Sequence, residues 1–301
     1  MSDMAIKVEN LVKYYEGRCV LDGINLNIPE GCIYGLLGRN GVGKTTLIRI
    51  LLGLEHPTRG ETFLCGCSSK ELSAEILGRV GYVAEGHNLI QNYRVGRLID
   101  LCRSLSLKWN DEFFNHLLET FRLPMDRKIK NMSAGMRAQL NLSLAMAIEP
   151  QLLIFDDPTL GLDTVARRQF LELAIELLSK DGRTILFSSH ILSDVERIAD
   201  RIGILVAGKL VVDCPLEDLK MRIKKLRLIF DDAPPDDLHL TDIISQRTQG
   251  RELVITVANL NEQKQAMIET FKPSSCSEIP MSLEDIFLEC TNPNPKSIIK
   301  Y

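Results

Sequence analysis

Apolar residues in this chain follow two rhythms, and the switches between them mark its parts. From residue 5 to 37 the spacing is strand-like, with clean alternation in Ile24-Asn25-Leu26-Asn27-Ile28 closed by a turn at Pro29-Glu30-Gly31. The run Cys32-Ile33-Tyr34-Gly35-Leu36-Leu37 reads as a short buried strand. Residues 46–54 carry apolar side chains all round, as a buried helix does. A turn at 56–60 precedes strands at 61–64 and 80–83, with a short helix near 69–77 between them.

From about residue 94 the rhythm becomes helical. Leu98, Leu101, Cys102 and Leu105 repeat at helical spacing, as do Phe113, Leu117, Leu118 and Phe121, and Asn110-Asp111 is placed to cap the second helix. This helical insertion, about 87–150, ends in a long helix over 134–148. Strands at 151–156 and 184–189 are each followed by a helix, over 165–180 and 192–201. Residues 202–212 read as a closing hairpin that turns at Ala207-Gly208. Such alternation predicts a mostly parallel sheet covered on both faces. Beyond Pro215 a small α+β unit is expected over 216–301, with strands at 226–230 and 252–257, a helix over 261–271, a polar break at 231–237 and a loose tail from Asn292. Its basic run, Lys220, Arg222, Lys224, Lys225 and Arg227, reads as a solvated face, with a membrane-surface or partner contact as the alternative.

Composition narrows the class. At 301 residues the chain has room for two domains, expected here as 1–215 and 216–301. Apolar residues at 45% and charged residues at 25% are those of an ordinary globular protein. A net charge of −4 gives no reason to expect nucleic acid as a partner. No apolar run reaches the roughly eighteen residues a membrane span needs, and the charged N-terminus lacks the apolar core of a secretory signal. The eight cysteines read as reduced cytosolic thiols, and Cys65 with Cys67 is a weak metal signal without a second pair.

One stretch carries the chemistry. Gly38-Arg39-Asn40-Gly41-Val42-Gly43-Lys44-Thr45-Thr46 matches the phosphate-binding P-loop pattern, with a strand before it and a helix after it. The glycines let successive N–H groups curl toward phosphate oxygens, and the helix adds its positive end. Lys44 would reach the β and γ phosphates, and the Thr45 hydroxyl would hold Mg²⁺. Leu152-Leu153-Ile154-Phe155-Asp156 is a buried strand ending in a carboxylate, the Walker B pattern, which would lie at the same sheet edge as the P-loop and bind Mg²⁺ chiefly through water.

With these motifs in order, the sequence resembles the nucleotide-binding domain of ABC transporters. Met132-Ser133-Ala134-Gly135-Met136 stands where that family carries a signature close to L-S-G-G-Q. Gly161-Leu162-Asp163 is similar to its D-loop, Ser188-Ser189-His190 to the segment of its switch histidine, and Tyr15 to its adenine-stacking tyrosine. The resemblance implies an α/β P-loop NTPase core with a mostly parallel sheet, an N-terminal antiparallel β part, an inserted helical subdomain and a small C-terminal α+β appendage. It implies ATP sandwiched between two domains. Ser133 and Gly135 of one would then face the P-loop of the other, while His190 supports the γ-phosphate and the attacking water. Ser282-Leu283-Glu284-Asp285-Ile286-Phe287-Leu288 is similar to the closing helix of exporter ATPase subunits.

Two positions depart from the family. Asp157 stands where glutamate usually orients the attacking water, and one methylene fewer withdraws the carboxylate by about 1.5 Å. Glu85 stands where the Q-loop usually has glutamine, keeping an oxygen for Mg²⁺ and adding charge. The resulting expectation is an ATPase subunit on the cytoplasmic face of a membrane. It would form a homodimer, or a heterodimer with another ATPase subunit, and drive export through an integral-membrane permease. Permease helices would enter the groove near Glu85 and residues 87–105. The alternatives are a soluble ABC-type ATPase and a binding-only switch disabled by Asp157.

Overall fold

A computed structural model describes residues 4–87, 89–179, 182–235, 238 and 240–291. The expected loose tail from Asn292 lies outside them. Two long antiparallel strands open the chain, β1 (Met4–Tyr15) and β2 (Arg18–Pro29). There follow β3 (Ile33–Leu37), α1 (Lys44–Leu51), β4 (Arg59–Leu64), β5 (Cys67–Ser68), α2 (Ala74–Leu77) and β6 (Val80–Val83). The insertion supplies α3 (Val95–Leu105), α4 (Asp111–Phe121) and α5 (Ala134–Met146). The core resumes with β7 (Leu152–Asp156), α6 (Thr164–Ser179), β8 (Thr184–Ser189), α7 (Leu192–Glu196), β9 (Arg201–Val206) and β10 (Lys209–Pro215). Last come α8 (Leu216–Arg222), β11 (Ile223–Ile229), β12 (Ile243–Gln249), β13 (Glu252–Ala258), α9 (Glu262–Thr270), β14 (Ser275–Ile279) and α10 (Leu283–Cys290).

The expected fold class is the one observed. The central sheet runs β10-β9-β3-β8-β7-β6, parallel throughout except for β10 at its edge. Every residue of β7 and β8 is buried, and apolar side chains run consecutively through 152–155 and 185–187, as strands covered on both faces require. Phe155 stacks edge-on against Phe170 and Phe187 with centroids 6.1 Å apart, and burying each such ring contributes about 2–3 kcal/mol. The antiparallel sheet β2-β1-β4-β5 and α1 share a second core with one face of the central sheet, and β12-β13-β11-β14 forms a third sheet. Because the parallel strands point one way, the ends of β3, β6, β7 and β8 meet at one edge. The site lies there.

Some local expectations shift for physical reasons. Only Ala74–Leu77 of the helix expected near 69–77 forms, with Ser73 as its cap. The helix over 192–201 stops at Glu196, because Asp200 is tied to β3 through the Ile33 N–H and carbonyl, at 2.8 and 2.9 Å. Leu105 belongs by spacing to the buried stripe of α3 yet is 76% exposed, and Phe114 rather than Phe113 fills the insertion core. β12 and β14 have no apolar alternation to announce them; β13 and β11 impose their pairing. The basic run pairs with acids: Lys224 with Glu278 at 2.8 Å, Lys225 with Glu289 at 3.2 Å and Arg227 with Glu252 at 2.8 Å. Helix α10, closed by a Ser282–Asp285 capping box, packs against α7 within the main core. All eight cysteines are free thiols, and no group of metal-ligating residues forms among the described residues. No helix among them is long and apolar enough to cross a membrane.

Candidate functional site at the carboxyl edge of the parallel sheet

Residues 38–43 carry the chain from β3 into α1. Gly43 caps the helix at φ 114, and a Cβ there would stand 2.8 Å from Leu21 Cδ2 and 3.1 Å from the Val20 carbonyl. Only glycine fits both demands. With no side chain capping α1, its first N–H groups are left for an external acceptor. They open on a cleft of about 190 Å³ lined by Val20, Asn40, Gly41, Gly43, Lys44, Thr45, Thr46, Glu85 and Asp157. Gly38, Arg39 and Val42 complete the loop around it.

Lys44 is 5% exposed. Its ammonium donates to the Gly38 carbonyl at 2.9 Å and faces Asp157 Oδ2 at 3.6 Å. Asp157 follows β7 at φ 43, a left-handed conformation that aspartate tolerates better than most residues. Its Oδ1 accepts the His190 N–H at 3.2 Å and meets His190 Nδ1 at 2.7 Å. Ser188 ties the two acids together: its hydroxyl donates to Asp156 Oδ1 at 2.8 Å and accepts the Asp157 N–H at 3.0 Å.

Asp156 is 1% exposed, and its Oδ2 has no hydrogen-bond partner. Burial raises its carboxyl pKa, with Asp157 adding to the rise, while the Ser188 and Thr45 hydroxyls and Lys44 oppose it. A buried carboxylate oxygen left open beside a threonine hydroxyl suits a hard, oxygen-preferring cation. Glu85 enters the cleft from the exposed start of a 3-10 turn, residues 85–87, after β6.

The remaining residues singled out in the sequence lie elsewhere. Tyr15 ends β1 and donates its hydroxyl to Glu55. Ser133 caps α5, its Oγ accepting the Met136 N–H at 3.2 Å. Asp163 caps α6 through the Ala166 N–H at 2.9 Å. A Cβ on Gly135 would meet Ala166 at 3.3 Å, so the signature segment and the start of α6 pack together, outside the residues lining the phosphate cleft. Sequence reasoning passed over Ser188, read only as a neighbour of His190, and Val20, whose part in the cleft depends on β2 running past the P-loop. A larger cleft, about 480 Å³, opens at the opposite ends of the strands beside Glu30, Arg79, Glu149 and Arg183. It shares no residue with the constellation above, which the chemistry favours over size.

Comparison with known proteins gives a consistent result. The family described as ABC transporter matches residues 21–160. The bacitracin transport ATP-binding protein BcrA of Bacillus licheniformis is 36% identical over 73% of this chain and 72% of its own length. The ABC transporter ATP-binding protein YtrB of Bacillus subtilis is 29% identical over 94% of this chain and 97% of its own. Among solved structures, an ATP-binding subunit of an ABC transporter aligns with a TM-score of 0.64 at 27% identity, covering 72% of this chain and 92% of that one. The chain belongs to the ATP-binding proteins of the ABC transporter family.

Proposed function

We propose that this chain is the ATPase subunit of an ABC exporter, binding Mg-ATP at the P-loop cleft and hydrolysing it between two nucleotide-binding domains. The observation that carries this reading is the convergence of Lys44 and His190 on Asp157 beside an open Asp156 oxygen. Thr45, Asp156 and Glu85 would hold Mg²⁺, and the loop from Gly38 to Thr46 would cradle the phosphates. Bound Mg²⁺ would supply charge neutralisation on the phosphate oxygens.

The chain's own residues divide the remaining work. Lys44 exchanges Asp157 for phosphate oxygens, which frees Asp157 to orient the attacking water and accept its proton. His190, held by Asp157 at Nδ1, has Nε2 left to stabilise charge on the γ-phosphate. Ser133 Oγ accepts from Met136, which leaves its own proton free for a γ-phosphate presented by a second domain. Since Ser133 and Gly135 lie outside the cleft lining, a partner must bring them, as a homodimer or as a heterodimer with another ATPase subunit.

The link to a membrane permease, and with it a cytoplasmic position at the membrane surface, draws on BcrA, whose name attaches it to bacitracin transport. It is also supported by exposed apolar residues on the insertion, Leu105 at 76%, Leu107 at 71% and Ile90 at 45%. The division into residues 1–215, with the insertion about 87–150, and 216–301 belongs to the same reading. The decisive experiment is steady-state phosphate release with Mg-ATP by the parent, Lys44→Ala and His190→Ala proteins. Turnover abolished by Lys44→Ala supports an ATPase; ATP binding without turnover, even with the permease in lipid, supports the switch instead.

A further inference from the structure

The aromatic ring expected to meet the nucleotide base is held by its neighbours. Tyr15 keeps 39% of its surface exposed at the end of β1, and its hydroxyl donates to Glu55 Oε2. The Lys13 ammonium sits over one face of the ring, 4.7 Å from the centroid. Lys13 also donates to the His56 carbonyl at 2.7 Å and lies 3.8 Å from Glu55 Oε2. Its side chain is only 15% exposed, low for a lysine that pairs with no buried acid. The other carboxylate oxygen of Glu55 takes Arg49 at 3.4 Å.

Glu55 is placed by the turn that ends α1. The Leu54 and Glu55 N–H groups both donate to the Arg49 carbonyl, at 2.9 and 3.3 Å, around Gly53 at φ 69. The group that holds the ring is therefore carried by the same helix whose first turn opens on the phosphate cleft. Burial and the bond to Glu55 push the Tyr15 phenol pKa up, so the hydroxyl keeps the proton it donates.

We propose that Lys13 and Glu55 are positioning residues for the nucleotide base, clamping the Tyr15 ring to α1 so that its free face is presented at a fixed distance from the phosphate cradle. This rests on the Mg-ATP reading above. Holding the ring in advance removes the ordering cost that a free tyrosine meets on stacking. A cation on the far face draws density from the ring and favours an electron-rich purine on the near one. The clamp spends its polar groups on the ring, on each other, on the His56 carbonyl and on Arg49. It therefore sets affinity for a stacked purine and not the choice between adenine and guanine.

The test is equilibrium binding of Mg-ATP and of Mg-tripolyphosphate, a base-free probe, to the full chain by calorimetry. Lys13→Met and Glu55→Gln are each expected to weaken ATP about 3- to 10-fold and to leave tripolyphosphate unchanged. Lys13→Arg, which keeps a cation over the ring, should hold parental ATP affinity. Equal losses for both ligands would mean that α1 itself is damaged, and overturn the proposal. So would parental ATP affinity in Lys13→Met and Glu55→Gln where Tyr15→Ala binds weakly, with the ATP site itself left standing. If Lys44→Ala fails to weaken tripolyphosphate, the phosphate-site reading has failed and the clamp falls with it.

Discussion

Nδ1 of His190 lies 2.7 Å from Oδ1 of Asp157, and the His190 N–H reaches the same oxygen at 3.2 Å. The other carboxylate oxygen faces Lys44 at 3.6 Å. Both carboxylate oxygens of Asp157 are thus engaged within the chain. Its left-handed backbone, φ 43, favours the shorter acid.

Asp157→Glu tests what the missing methylene does. The longer acid should raise steady-state phosphate release, by up to about 100-fold if positioning limits the rate. Glutamate suits the left-handed conformation less well, by about 1 kcal/mol, so the melting temperature should fall by roughly 2–4 °C. Turnover equal to or below the parent's would sink the idea that side-chain length is limiting.

Asp156 gives a pH signature. Its carboxyl pKa is raised in the folded chain, chiefly by burial, so the fold holds a proton where the unfolded chain has lost it. Its contribution to stability is therefore present in acid and is lost as pH rises through the folded value. Asp156→Asn should flatten that dependence and raise the melting temperature of the nucleotide-free protein near neutral pH, while abolishing stabilisation by Mg-ATP. Melting curves from acid to neutral pH, with and without Mg-ATP, read both effects. A pH dependence in Asp156→Asn identical to the parent's refutes the assignment.

Gly35 fixes how α7 lies on β3. A Cβ there would stand 2.2 Å from Val195 Cγ1, inside any real contact. Gly35→Ala should cost about 1–3 kcal/mol in denaturant unfolding by forcing α7 outward. Since α7 follows His190 directly, phosphate release should fall as well. Unchanged stability would show that Val195 yields freely.

Leu105 and Leu107 test the docking surface. Both are more than two-thirds exposed, at 76% and 71%, so Leu105→Ser with Leu107→Ser should change stability by less than about 1 kcal/mol. Cosedimentation of the tagged chain with host membranes should drop if these residues meet a permease. Undiminished cosedimentation places the docking surface elsewhere.

Much of this protein was legible because its strongest signals are local. The P-loop needs glycines, lysine and threonine at fixed spacing, and β7 and β8 announce themselves by consecutive apolar residues at 152–155 and 185–187. The Asn110 cap is likewise set by a neighbour three residues away. β12 and β14 were not legible. Their side chains carry little alternation; β12 pairs with β13 across a tight turn at Gly250-Arg251, while β14 pairs with β11, distant in the chain.

The sequence by itself determined most of the order of strands and helices up to β10, the phosphate loop and the acids at the end of β7, because each depends on residues adjacent in the chain. Only the tertiary structure decided that Ser188 bridges Asp156 to Asp157, that Lys44 and His190 share one carboxylate, and that Lys13 and Glu55 grip Tyr15. The first two relationships join strand ends that only the packing of a parallel sheet brings to one edge, and the third joins the end of β1 to the turn after α1. Spacing along a chain carries no record of such contacts.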